Sequence, residues 1–134
     1  SLEEVEAYLR QVCAPFGPLT DAQWRHLATH SGVQAEGGGW RLHYDPAIGA
    51  AFRSAPPADV VLWPVWEAVA CPVLILRGSE SDLLLRQTGE EMTRRGASAS
   101  AGTVRWQEIA GVGHAPALMA LDQIARVREF LSGE

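Results

Sequence analysis

Apolar and polar positions follow two different rhythms along this chain. In the first sixty residues the rhythm is helical. Leu2, Val5, Leu9 and Val12 recur at a spacing of three to four, which lines one face of a helix. Ser1 and Glu4 fit a capping box at its start, the hydroxyl and carboxylate serving free N–H groups of the first turn. "APFGPL" ends this helix, because two prolines and a glycine cannot continue it. Thr20 and Gln23 repeat the capping pattern and open a second helix over "DAQWRHLATH". Gly32 and the "GGG" at 37–39 predict a loop. "DPAIGAAF" (45–52) predicts one more short helix, with Asp45 as cap and Pro46 at the first position. No strand is predicted in this part.

Beyond residue 60 the rhythm changes. Val73, Leu74, Ile75 and Leu76 form an unbroken apolar run, the pattern of a parallel-sheet strand covered on both faces. A helix is predicted near 86–95. "TVRWQEI" (103–109) alternates, with Val104 and Trp106 on one face and Arg105 and Gln107 on the other, as in a half-exposed strand nearer a sheet edge. Ala120, Ile124, Val127 and Leu131 mark one apolar stripe of a last helix over about 120–131. Strand, helix, strand, helix is the order of a right-handed α/β unit. The chain therefore divides into a helical segment, 1–60, and an α/β segment, 61–134. Two strands are too few, since a fully apolar strand needs neighbours on both edges and helices on both faces. Further sheet is expected from elsewhere.

Composition narrows the classes. With 47% hydrophobic residues among 134, the chain can bury a core and is not of disordered type. Its net charge of −5 and the lack of any basic cluster argue against nucleic acid as a partner. No apolar run approaches the roughly 20 residues of a membrane span. The opening "SLEEVEAYLR" is acidic and amphipathic, unlike a signal peptide. Cys13 and Cys71 lie far apart and read as reduced core cysteines of a cytoplasmic protein.

Candidate chemistry lies just after the two strands. In open α/β sheets functional residues gather outside the carboxyl ends of the strands. Asp82 follows the first strand by a few residues and His114 follows the second. On one rim, a carboxylate can hold an imidazole in one tautomer, and the imidazole can serve as general base and acid. Gly111 and Gly113 would let the histidine loop turn back over the rim. The plainer reading of Asp82 is as a cap of the next helix, and a lone histidine is more often structural than catalytic. The pairing of both at equivalent strand ends is what favours function.

"CPVLILRGSESDLL", followed some thirty residues later by "GVGHAPAL" and a final helix, closely resembles the C-terminal part of the α/β-hydrolase family. Residues 1–60 resemble the helical cap that such enzymes insert before the acid-bearing strand. The resemblance implies the C-terminal portion of an α/β-hydrolase fold: a helical cap segment followed by strand, helix, strand and helix of a mostly parallel sheet. Family order is nucleophile, acid, histidine, which places Asp82 as the acid and His114 as the histidine. It implies hydrolysis of an ester or similar small organic substrate, with no metal and no organic cofactor. No G-x-S-x-G stretch occurs in the 134 residues and no oxyanion-hole loop can be assigned. Ser81 stands beside Asp82 but on the acid's loop, not on a nucleophile elbow. The nucleophile, a serine or in some relatives an aspartate, is expected in an upstream half, which would also pair with the open sheet unless the chain self-associates. A non-catalytic binding or assembly segment of the same fold is the alternative.

Other side chains offer less. His26 and His30 stand four apart on one helix, a zinc-compatible spacing that no nearby carboxylate or cysteine completes. His43 reads as a turn residue. Trp24, Trp40, Trp63 and Trp66 could line an apolar pocket but read more simply as core. The "GGG" follows no strand and opens no helix, so it does not read as a phosphate loop.

Overall fold

A computed structural model describes residues 1–54 and 59–133. These form two compact units. One comprises Ser1–Ala14 and the described residues from Leu19 to Val61; the other comprises Pro15–Pro18 and the described residues from Leu62 onward.

In the first unit, α1 spans Leu2–Val12 and α2 spans Asp21–Ser31. Both begin in the expected capping boxes. Ser1 Oγ accepts the Glu4 N–H at 3.2 Å and Thr20 Oγ1 accepts the Gln23 N–H at 3.3 Å. Each reciprocal side chain returns to the cap residue's backbone. Val5 and Leu9 from α1 meet Trp24 and Ala28 from α2 in the buried core, with Leu2, Leu27, Trp40 and Leu42 packed against it. Across the outer surface Arg25 pairs with Glu3 at 3.0 Å, and Arg10 with Glu6 at 2.8 Å and Asp21 at 2.7 Å.

The absence of strands predicted for this unit is overturned. Strands β1 (Gly32–Gln34) and β2 (Trp40–Leu42) form an antiparallel hairpin. Its turn contains the "GGG", closed by Ala35 N–H to Gly39 O at 3.1 Å. Packing accounts for the strands: β2 delivers Trp40 and Leu42 to the core. The helix expected from Pro46 begins later, as α3 over Ile48–Ser54. Asp45 Oδ1 accepts the Ala47 N–H at 2.8 Å, a turn that precedes the helix.

In the second unit, a short helix α4 (Trp63–Glu67) precedes β3 (Val73–Gly78). Then come α5 (Arg86–Met92), α6 (Ala97–Ser100), β4 (Val104–Ile109) and α7 (Leu121–Ser132). β3 and β4 pair in parallel with Val73 opposite Val104 and Gly78 opposite Ile109. The predicted helix near 86–95 is shorter and ends at Met92. Gly89 is buried in α5 because the Trp106 indole occupies the space a β-carbon would need.

Trp66 and Trp63 are structural. The Trp66 indole N–H is shared between the Met92 and Arg95 carbonyls at 3.2 and 3.1 Å, and the Arg95 guanidinium lies 4.2 Å from the Trp63 ring centre. Ser98 Oγ sits 2.7 Å from the carbonyls of both Val69 and Cys71, fixing the entry to β3. Cys71 itself is exposed, which corrects its reading as core. Cys13 is half-buried, and that burial pushes its thiol pKa up.

The final helix also corrects an expectation. α7 meets β4 through a different face from its apolar stripe. Arg126 donates to Gln107 at 3.2 Å, Phe130 lies under Arg105, and Gln123 is buried. Residues 123, 126 and 130 share one helix face. Ile124 and Leu131 of the predicted stripe are left 46% and 77% exposed.

Candidate functional site

Parallel pairing sends the loops that follow β3 and β4 off the same end of the sheet. They are in backbone contact. Ser79 N–H continues the ladder to Ile109 O at 2.8 Å, and Glu80 N–H reaches Val112 O at 2.9 Å. In return, Gly111 N–H donates to Ser79 Oγ at 2.9 Å. Gly78 makes this approach possible. A β-carbon there would overlap the carbonyl oxygens of Gly113 and Val112. The histidine loop is tied on its other side by Gly113 N–H to Pro15 O at 2.7 Å.

The loop that carries Asp82 is organised by Arg77, a residue to which the sequence reading assigned no role. Its guanidinium is buried at 7% exposure. It donates to the carbonyls of Leu84 (2.6 Å), Ser79 (3.2 Å) and Ser81 (3.0 Å), and to Glu108 at 2.8 Å. Glu108 also pairs with Arg86 at the start of α5. One cation thus fixes three loop carbonyls and the strand opposite. A charged residue closing an otherwise apolar strand was the available signal, since arginine is almost never buried unless paired.

Asp82 and His114 lie on these two adjoining loops and are both exposed. Among the described residues, no hydrogen bond or ion pair joins them. The imidazole instead meets the preceding residue: Ser81 Oγ is 3.4 Å from His114 Nδ1. Ser81 is buried, and its Oγ accepts the Leu84 N–H at 3.1 Å. Asp82 does not cap α5, whose N-cap is Leu85. Ala115, next to the histidine, has φ 60° and Leu118 has φ 55°, the left-handed region that residues other than glycine seldom occupy.

The remaining candidates stay apart from this site. The His26 and His30 rings stand 4.3 Å apart on the exposed side of α2. His43 closes the hairpin, its Nδ1 3.2 Å from Ser31 O. Among the described residues no cluster of three or more His, Cys, Asp or Glu could hold a metal ion. No described helix is long and apolar enough to cross a membrane.

No known family model matches the chain. The 3-hydroxybutyrate-oligomer hydrolase of Cupriavidus necator is 41% identical to it over 141 aligned residues, covering 99% of this chain and 46% of the relative. Among solved structures, a candidate hydrolase from Rickettsia typhi superimposes with a TM-score of 0.83 at 28% identity, over 100% of this chain and 43% of its own. An α/β-hydrolase from Novosphingobium aromaticivorans gives 0.77 at 28% identity, over 98% and 46%. The chain carries the C-terminal portion of an α/β-hydrolase fold. It spans about half the length of the relatives it matches. In open α/β sheets ligands bind outside the carboxyl ends of the strands, the end from which the loops after β3 and β4 leave.

Proposed function

We propose that this chain belongs to a hydrolase in which Asp82 and His114 are the acid and the histidine of a nucleophile–histidine–acid triad. The observation that carries the reading is the joined rim: two loops off parallel strand ends, in backbone contact, one bearing each residue. In this mechanism the nucleophile attacks the carbonyl carbon of the substrate. His114 Nε2 takes the nucleophile's proton and then passes it to the leaving group. The Asp82 carboxylate stabilises the imidazolium formed in between. Catalytic hydrogen bonds are often long or unformed without substrate, in keeping with a histidine held here by Ser81. The nucleophile and its oxyanion hole come from sequence outside these 134 residues, which contain no G-x-S-x-G. The substrate class follows the Cupriavidus relative, whose name specifies 3-hydroxybutyrate oligomers: an ester, or short ester oligomer, of a small hydroxy acid.

The test uses the longest natural protein that contains this chain. It is assayed on p-nitrophenyl butyrate and on a 3-hydroxybutyrate dimer. His114→Ala should lower kcat by about 10³-fold or more, and Asp82→Asn by a comparable factor. Turnover unaffected by His114→Ala overturns the assignment. The chain by itself should show no ester turnover. The completing partner we propose is the remainder of the hydrolase. Pairing β3 with β4 uses one side of each strand, and the alternate backbone groups of Leu74 and Leu76 face the other edge. An unpaired edge of this kind recruits another strand.

A further inference from the structure

We infer that Ser81 is a positioning residue for His114, its hydroxyl accepting the Nδ1–H and so keeping the proton off Nε2. The inference rests on the triad reading for the direction of the bond and for its catalytic consequence; the contact itself stands without it.

Four observations lead there. Ser81 Oγ is a polar group within hydrogen-bond range of the imidazole, 3.4 Å from Nδ1. The serine is 6% exposed, so water does not compete freely for its hydroxyl. Its place is fixed from both sides of the residue. Arg77 holds its carbonyl at 3.0 Å, and the turn from Gly78 O to Ser81 N–H holds its amide at 3.0 Å. Finally, Oγ already accepts one hydrogen bond, from Leu84 N–H at 3.1 Å. A hydroxyl has two acceptor lone pairs and one proton. A second lone pair remains to accept Nδ1–H; the alternative is donation of the hydroxyl proton to Nδ1, and the triad reading, which needs Nε2 as the base, selects the first direction.

The direction of this bond decides its value. A neutral imidazole carries a proton on one nitrogen and accepts on the other. With the proton held on Nδ1, Nε2 is free to act as the base; with the proton on Nε2, it is not. In triads this selection of tautomer is assigned to the acid. Here a buried neutral group beside the acid does the same work before the carboxylate engages. Ser81 is no nucleophile in this arrangement. It faces Nδ1 from within the acid loop, and one of its lone pairs is taken by the Leu84 N–H.

Nitrogen-15 NMR of selectively labelled histidine on the intact chain reads the tautomer directly. In the wild-type chain neutral His114 should carry its proton on Nδ1. Ser81→Ala should lower the Nδ1–H population about two- to tenfold, the range of one neutral hydrogen bond. Ser81→Thr, which keeps the hydroxyl, should restore it. A wild-type proton on Nε2, or a population that Ser81→Ala leaves unchanged, overturns the inference. If the alanine variant loses its fold, the wild-type tautomer and the threonine variant still decide. In the longer protein, Ser81→Ala should lower kcat by a similar factor with KM unchanged, and threonine should recover it. Loss of the tautomer preference with no effect of His114→Ala on turnover would refute the triad and leave the contact intact.

Discussion

Gly78→Ala is the smallest change that should part the two rim loops. Gly78 ends β3 opposite Ile109, and its φ lies outside the left-handed region, so the substitution introduces no backbone strain of that kind. What it introduces is a methyl group in occupied space. The nearest atoms would be the carbonyl oxygens of Gly113 and Val112, with the Val112 carbonyl carbon at 2.8 Å. All are backbone atoms, which cannot rotate away as a side chain does. The strand end or the histidine loop must shift. Overpacking of this sort costs about 1–3 kcal/mol. The shift also strains the Glu80-to-Val112 and Gly111-to-Ser79 hydrogen bonds, each worth about 1 kcal/mol net. A loss of about 2–4 kcal/mol follows. With a urea slope near 1.5 kcal/mol per molar, the midpoint should fall by about 1–3 M. Urea unfolding of the chain followed by circular dichroism measures this. Gly37→Ala is the control: it has nothing within 4 Å of the added carbon and no positive φ, and should unfold within about 0.5 kcal/mol of wild type. If Gly78→Ala tracks Gly37→Ala, the loops are not in the contact described and the joined rim fails as the basis of the site.

Arg77→Met removes the cation that gathers the acid loop and leaves Glu108 and the Leu84 and Ser81 carbonyls without it; destabilisation of about 3 kcal/mol is expected by chemical denaturation, and a change below 1 kcal/mol contradicts that role. Thr20→Ala removes the α2 cap and should cost about 1 kcal/mol, seen as a lower thermal midpoint, whereas Thr29→Ala, which removes only an exposed hydroxyl bonded to Arg25 O, should change it far less. Glu3 has its carboxyl pKa lowered from 4.5 to about 2 by its own backbone N–H and then by the Arg25 guanidinium. A depressed folded-state pKa gives stability that is present above 4.5 and lost as pH falls towards 2. Carboxyl NMR should find the Glu3 midpoint near 2 and Arg25→Gln should raise it; a wild-type midpoint at 4.5 would refute the pairing.

The parts of the fold that were legible were those set by near neighbours in sequence. Both capping boxes could be read because cap and partner are three residues apart and their geometry is that of one helical turn. β3 announced itself as an apolar run, and β4 as an alternation. The hairpin β1–β2 was not legible, because strands of three residues are too short to display a period of two. What they bury depends on α1 and α2, which a local pattern does not contain. The same distinction divides the site. That Asp82 and His114 would stand on neighbouring strand ends could be read because each follows its own strand. The role of Arg77 could not, because its partner Glu108 is 31 residues away and becomes visible only when the register sets the two opposite each other. Ser81 and His114, 33 residues apart, meet only through the folded rim.

α7 shows what a hydrophobic pattern does and does not report. The stripe through Ile124, Val127 and Leu131 was present in the sequence, yet the helix meets β4 through Gln123, Arg126 and Phe130. Periodicity states which residues share a face; it does not state which neighbour that face meets. Together with Leu118, Arg128 and Ser132, the stripe instead lines an open groove of about 550 Å³. Burying a leucine or isoleucine is worth roughly 1.5–3 kcal/mol, so Ile124 and Leu131 alone hold back several kcal/mol of unused stabilisation. β3 likewise presents Val73, Leu74 and Leu76 only half-buried, beside a backbone edge paired on one side. Both surpluses lie in the same α/β unit, and both are apolar. A chain that matches about 45% of its relatives' length has a direct use for them. Under the proposed function, the strands and helices that bring the nucleophile to His114 are also those that cover the open strand edge and the α7 stripe, so completing the core and completing the catalytic site become a single folding event.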